Sequence, residues 1–260
     1  MILAIDVGNT QLVAGCMQNG RSVVTARFET NTRSTAAEYA IKFKIWLEMN
    51  NVSASQIEGG IISTVVPPLA SVLRETFRML CGKEPVVVGP GVRTGLNIKI
   101  DNPAQLGADI VAGAVASIAK YPLPQIVFDM GTATTACVID TAGVLRGVVI
   151  LPGVRTALST LVEKTSQLPN IDLIAPKHVV GTNTVDSMLS GTIYGTAATM
   201  DGIARRIEKE IGEEATLIAT GGLSKAIVPY CERSFIQDDN LVLDGLYRIY
   251  QKNRIGGDRG

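Results

Sequence analysis

Two stretches decide the fold: Ile2-Leu3-Ala4-Ile5-Asp6-Val7-Gly8-Asn9-Thr10 and Ile126-Val127-Phe128-Asp129-Met130-Gly131-Thr132-Ala133-Thr134-Thr135. In each, a short apolar run enters an aspartate that is followed by a Gly/Thr turn. The aspartates stand 123 positions apart in a chain of 260 residues, close to half its length. An apolar strand holds a carboxylate in place, and glycine lets the backbone approach an anion. Threonine hydroxyls and turn N–H groups then donate to phosphate oxygens. One copy alone also reads as a buried β-turn. Two copies at half-chain spacing predict a duplicated unit that handles phosphate.

Outward from these turns, both halves follow one plan. The first half predicts strands at 2–6, 12–17 and 23–28, a helix over 35–49, and a strand at 60–66 stopped by Pro67-Pro68. A helix over 69–80 and a strand at 85–88 follow. The second half predicts strands at 125–129, 134–139 and 144–150 and a helix from beyond Pro152-Gly153 to about Leu168. It continues with a helix over 185–211, a buried strand Thr216–Thr220, a short helix, and a last helix over 243–253. This alternation, with a hairpin opening each half, predicts an α/β fold of two related lobes, 1–120 and 121–255. The crossover is expected at Lys120-Tyr121-Pro122-Leu123-Pro124, with a ligand cleft between the lobes and a disordered tail at 256–260.

Composition narrows the class of function. Hydrophobic residues make up 46% of the chain and charged residues 18%, which suits a packed globular protein and excludes a disordered one. Lys+Arg and Asp+Glu are both 24, so the chain is formally neutral; an extended nucleic-acid surface is not expected. No apolar run is long enough to span a membrane, and the start of the chain lacks the basic and apolar parts of a secretory signal. A cytoplasmic protein with no membrane partner is the expectation. Cys16, Cys81, Cys137 and Cys231 are scattered and read as buried thiols in a reducing compartment. The single histidine, His178, reads as a loop or surface residue, and a histidine-rich metal site is excluded.

From Asn102 to Ala119 the only charge is Asp109, in Leu106-Gly107-Ala108-Asp109-Ile110. With Pro103 as a helix start, Asp109 is predicted about two turns into a helix whose face at Ala112, Gly113 and Ala116 carries only small groups. It reads either as a polar residue on a solvated face or as a general base with room for a hydroxyl to approach. Gly221 and Gly222 follow the strand 216–220 and allow close backbone approach to a flat or anionic group, although such turns also occur for geometry alone. Gly181-Thr182-Asn183-Thr184 reads as an N-capped helix start.

Taken together these segments resemble the type III pantothenate kinase family, within the acetate and sugar kinase/Hsc70/actin superfamily. The resemblance runs through Asp6–Thr10, Ser63–Pro68, Val88–Gly91, Gly107–Asp109, Asp129–Thr135, Pro152-Gly153, Gly181–Thr184 and Thr220–Leu223. It implies two lobes of ribonuclease-H-like (actin-like ATPase) topology and ATP-dependent phosphorylation of pantothenate, the first step toward coenzyme A. It also implies Mg²⁺, a monovalent cation (K⁺ or NH₄⁺) and a homodimer.

By position, Asp6, Val7, Gly8, Asn9, Thr10, Gln11, Leu12 and Val13 would surround the ATP phosphates, with Asp6 near Mg²⁺. Thr132, Gly221 and Gly222 would also contact ATP, and Asp129 would hold the monovalent cation. Asp109 would be the general base. Ile100, Gly107, Ala108, Asp109, Ile110 and Thr184 would line the acceptor site, Thr184 from across the dimer. In-line phosphoryl transfer needs positioning, charge neutralisation and a nearby base, so the set is chemically coherent.

Four positions depart from the family pattern. Ile110 stands in place of Arg and Ile100 in place of Tyr. Met130 replaces Phe, and Gly147-Val148 replaces Gly-Gly. The missing Arg and Tyr are groups expected on pantothenate. The alternatives are therefore a paralogue acting on a less anionic alcohol, or a weakly catalytic regulator or partner of a homologous subunit.

Overall fold

The computed structural model describes residues 1–254 as two compact units, each built on one mixed sheet. The tail expected at 256–260 lies outside the described residues. The first unit comprises Met1–Leu96, Asp101–Ala119 and the chain from Asn240; the second comprises Asn97–Ile100 and Lys120–Asp239.

In the first unit, β1 (Ile2–Val7), β2 (Gln11–Gln18), β3 (Arg21–Glu29), β4 (Gly59–Thr64) and β5 (Val86–Val87) lie in the order β3-β2-β1-β4-β5. β1 is antiparallel to β2 and parallel to β4. Alternation along β1 sends Leu3, Ile5 and Val7 into a core with Tyr39, Phe43 and Leu47 of α1 (Ala36–Met49) and Leu69, Leu73 and Phe77 of α2 (Pro67–Cys81). α1 starts at a capping box in which the Glu38 carboxylate accepts from the Thr35 N–H at 2.6 Å; such caps contribute about 1 kcal/mol. Pro67 and Pro68 open α2, where a missing N–H costs nothing. α3 (Ala108–Lys120) follows later in the chain.

The second unit repeats the plan. β7 (Gln125–Met130), β8 (Ala133–Ile139), β9 (Val144–Pro152), β10 (Thr216–Thr220) and β11 (Ile236–Gln237) lie in the order β11-β10-β7-β8-β9. A short β6 (Asn97–Ile98) is added outside β9. Strand for strand, this is the first sheet again. β1 and β7 even share one burial pattern, with only the aspartate, one place from the end, partly open to solvent. Ile126, Phe128 and Met130 pack against Val154 of α4 (Val154–Glu163) and Ile193, Ala197 and Met200 of α5 (Thr184–Ile211). α6 (Ser224–Ile227) completes the unit. Among the described residues, no helix is long and apolar enough to cross a membrane.

Three expectations change. The last helix, α7 (Leu241–Arg254), does not stay with the 121–255 lobe; it packs on β1, β2 and β4 in the first unit. Its stripe of Leu241, Leu243, Leu246, Ile249 and Tyr250 is buried there because glycines leave room: Leu243 over Gly15, Tyr250 over Gly59. Pro103 starts only a single 3-10 turn, Pro103–Gln105. Extended Leu106 then breaks the path, and Asp109 falls in the first turn of α3 rather than two turns in. The small residues of α3 are likewise not open space. Ala112, Gly113 and Ala116 are buried, and a Cβ on Gly245 of α7 would collide with the Ala112 carbonyl.

That contact yields a test. In an exposed helix Gly→Ala stabilises, but Gly245→Ala must push α7 off α3. It is expected to lower stability by about 1–3 kcal/mol in urea unfolding, the scale of overpacking in a tight core.

Candidate active site

β1, the central strand of the first sheet, delivers Asp6 near its C-terminal end, half-buried, next to a turn that the neighbouring strand end holds in place. Gly8 N–H donates to the Gln11 carbonyl at 3.0 Å, Thr30 N–H donates to the Thr10 carbonyl at 3.0 Å, and the Thr30 hydroxyl donates to the Gly8 carbonyl at 2.8 Å. Asn9, Thr10 and Gln11 are exposed, and Val13 is half-buried. Val7 and Leu12 point into the core with at most 1% exposure, so what they offer a ligand is main chain. In the β1–β4 ladder the residue opposite Asp6 is Ser63, which opens the Ser63–Pro68 segment of the family resemblance but has no site role assigned from the sequence. The available signal was the hydroxyl pair Ser63-Thr64 closing an otherwise apolar strand.

β7 delivers Asp129 in the same way, with Thr220 of β10 opposite it. Gly221 lies against the Asp129 carboxylate and the Met130 backbone so closely that no side chain fits, and its φ of +91° also demands glycine. Gly222 beside it is exposed, as is Thr132 in the turn after β7. The Thr132 carbonyl accepts from the Thr156 hydroxyl at 2.8 Å and from Gly153 N–H at 3.2 Å, which ties that turn to the start of α4.

Asp109, in the first unit with Asp6, is half-buried. One carboxylate oxygen accepts from the Ile110 N–H at 2.8 Å and rests on Gly107, where a Cβ would overlap it. Burial pushes its pKa above the ordinary carboxylate value, and the hydrogen bonds from backbone N–H groups offset this only in part. A carboxylate with raised basicity at the open end of a helix has the chemistry of a general base. Ala108 and Gly107 flank it, and Ile110 contributes an apolar, half-buried side chain.

Ile100 belongs to the second unit, just beyond β6. Thr184 is the first residue of α5, with Asn183 as its N-cap accepting from Asp186 N–H at 2.9 Å. It lines a cavity of about 840 Å³ to which α4 contributes Leu158 and Leu161 and α5 contributes Met188, Thr192 and Thr196. Gly181, Thr182 and Asn183, the capping segment ahead of Thr184, line the cavity too, whereas the residues assigned by resemblance to ATP, the cations and the rest of the acceptor site do not. His178 is exposed in a loop. Among the described residues, no three His, Cys, Asp or Glu side chains gather as a metal cluster.

The chain matches the type III pantothenate kinase family over residues 2–206. It is 44% identical over 254 residues to a type III pantothenate kinase of an Exiguobacterium species, covering 98% of this chain and 100% of that one. A type III pantothenate kinase of Halalkalibacterium halodurans is 42% identical over 253 residues, covering 97% and 100%. Component A of (R)-2-hydroxyglutaryl-CoA dehydratase from Acidaminococcus fermentans shares the fold, with a TM-score of 0.55 at 14% identity and 96% of each chain covered. The family match includes both strand–Asp turns and Asp109, the relatives align end to end, and the chain belongs to the type III pantothenate kinase family.

Proposed function

We propose that this protein transfers the γ-phosphoryl group of ATP to the hydroxyl of pantothenate, giving 4'-phosphopantothenate, with Asp109 as the general base. The observation that carries the reading is Asp109 itself. Its carboxylate is held by Gly107 and the Ile110 N–H, and burial makes it more basic than an ordinary aspartate. Asp109 takes the hydroxyl proton as the oxygen attacks phosphorus. The backbone and hydroxyls of the Gly8–Gln11 turn cradle phosphate oxygens in the first unit. In the second unit, Thr132, Gly221 and Gly222 are the residues assigned to nucleotide, and Asp129 would hold the K⁺ or NH₄⁺ ion.

Asp6 is the proposed Mg²⁺ ligand. One carboxylate plus phosphate oxygens and water is an ordinary donor set for this cation, so the residues present fit it. Bound Mg²⁺ neutralises charge on the transferring group. Thr184 serves the acceptor from the second copy of a homodimer. The dimer is supported by the large apolar side chains that the second unit exposes: Ile150, Ile174, Val179 and Val180 are each more than 60% accessible. A second reading, a less anionic alcohol as acceptor, is favoured by Ile100 and Ile110, apolar side chains at the two positions where the family pattern has Tyr and Arg.

Asp109→Asn should lower kcat by about 10²–10⁴ with Mg·ATP and pantothenate, the usual contribution of a general base. In wild type the acid limb of kcat/KM should fall above the ordinary carboxylate range, because only ionised Asp109 accepts a proton. Stability should show the matching sign: a raised carboxyl pKa stabilises the fold fully below the unfolded value near 4 and loses that contribution as pH rises through the folded value. Asp109→Asn should therefore equal or exceed wild type in Tm at pH 7 and lose that advantage in acid.

The paired change Ile100→Tyr with Ile110→Arg should lower the KM for pantothenate by about tenfold, the effect of one charge-assisted contact. A fall in turnover of pantothenate together with loss of activity on a neutral alcohol would favour the second reading. Light scattering after gel filtration should report a dimer, and Ile174→Asp with Val180→Asp should shift it to monomer.

A further inference from the structure

Ser63 is fully buried, and among the described residues its hydroxyl has no hydrogen-bond partner. Its position makes this informative. Ser63 and Asp6 occupy the same rung of the parallel β1–β4 ladder. On β4, Ile62 belongs to the α1/α2 core and Gly60 meets Phe77 of α2, whereas Gly59 meets Tyr250 of α7. Ser63 therefore faces the α7 side. On β1, Leu3, Ile5 and Val7 fill the α1/α2 core, so Asp6 also faces the α7 side. A hydroxyl and a carboxylate are thus neighbours on one face of adjacent strands, where side chains stand close enough to interact.

A buried donor without a partner is a standing cost that alanine would avoid. The second unit keeps the same arrangement, with Thr220 on the rung of Asp129. Thr134 is also buried without a partner, but it occupies the place of Leu12 in the repeat, on a rung with no carboxylate.

We propose that Ser63 is a positioning residue for Asp6, its hydroxyl donating to the Asp6 carboxylate when Mg·nucleotide is engaged. This rests on the reading of Asp6 as the nucleotide-site carboxylate. By taking one carboxylate oxygen, the hydroxyl would fix the pair's orientation and leave the other oxygen to serve the cation. Without nucleotide the fold carries the unpaired donor as a local strain, the kind of stability that active sites forgo.

The test is calorimetric titration of Mg·AMP-PNP into wild type, Ser63→Ala and Ser63→Thr, with Tm for each and kinetics on pantothenate. Ser63→Ala should melt at or above the wild-type temperature, yet bind Mg·AMP-PNP about five- to tenfold more weakly, the scale of one hydrogen bond to a charged group. Its KM for Mg·ATP should rise by a similar factor, with more Mg²⁺ needed for half-maximal rate. Ser63→Thr, which restores the hydroxyl in the form found at Thr220, should bind within about twofold of wild type.

Wild-type affinity in Ser63→Ala overturns the proposal. So does weaker binding accompanied by a lower Tm, or a Ser63→Thr variant as weak as Ser63→Ala. Wild type that binds Mg·AMP-PNP but leaves pantothenate untouched defeats the kinase reading and leaves this inference standing on the binding data. Wild type that binds no nucleotide defeats both.

Discussion

The molecule depends on where a carboxylate can sit at the end of a strand buried on both faces. β1 is flanked by β2 and β4 and covered by α1 and α2 on one side and α7 on the other. Because side chains alternate, a slip of one residue would move Leu3, Ile5 and Val7 out of their core and drive Asp6 into it. The apolar set therefore fixes the register, and the register fixes Asp6. β7 repeats this with Ile126, Phe128 and Met130, and Asp129 inherits the same position. Each of these two carboxylates is placed by the hydrophobic residues on either side of it in sequence.

Glycine then shapes what each carboxylate can meet. Gly107 under Asp109 and Gly221 against Asp129 leave no room for a side chain, so backbone approaches the acid directly. At Asp6 the corresponding work falls to a turn held by Thr30. The duplication has thus kept the strand and its rung of hydroxyls, Ser63 and Thr220, while the turns differ. Four residues, Gly8–Gln11, connect the paired ends Val7 and Leu12; three, Gly131–Ala133, connect Met130 and Thr134.

Much of this was legible in sequence because strong local signals carried it. Thr216–Thr220 is a β-branched, apolar run between polar and glycine boundaries, and it forms a strand over those residues. The two strand–Asp turns were legible because the pattern occurs twice. What failed was long-range. The small face of α3 looked like open space because its filler, α7, lies about 130 residues further on, and Gly15, Gly59 and Gly245 carry no mark of their partners. Pro103 gave a true start signal, but for a single 3-10 turn. A site role for Ser63 was missed for a related reason: a strand-end serine is unremarkable until strand pairing sets it beside Asp6.

Ile110 joins the two halves of the chemistry. Its N–H donates to Asp109 whatever the side chain is, so the carboxylate keeps its orientation. An arginine there would place a cation beside the carboxylate, favour the ionised form and lower its pKa. Isoleucine leaves desolvation as the dominant influence, and the carboxyl stays above its ordinary value. On the proposed mechanism, the substitution makes the proton acceptor stronger while removing a partner for an anionic acceptor. Catalytic basicity and substrate affinity are therefore set against each other at one residue. The balance between them decides whether this member of the family works best on pantothenate or on an alcohol that needs no cation to hold it.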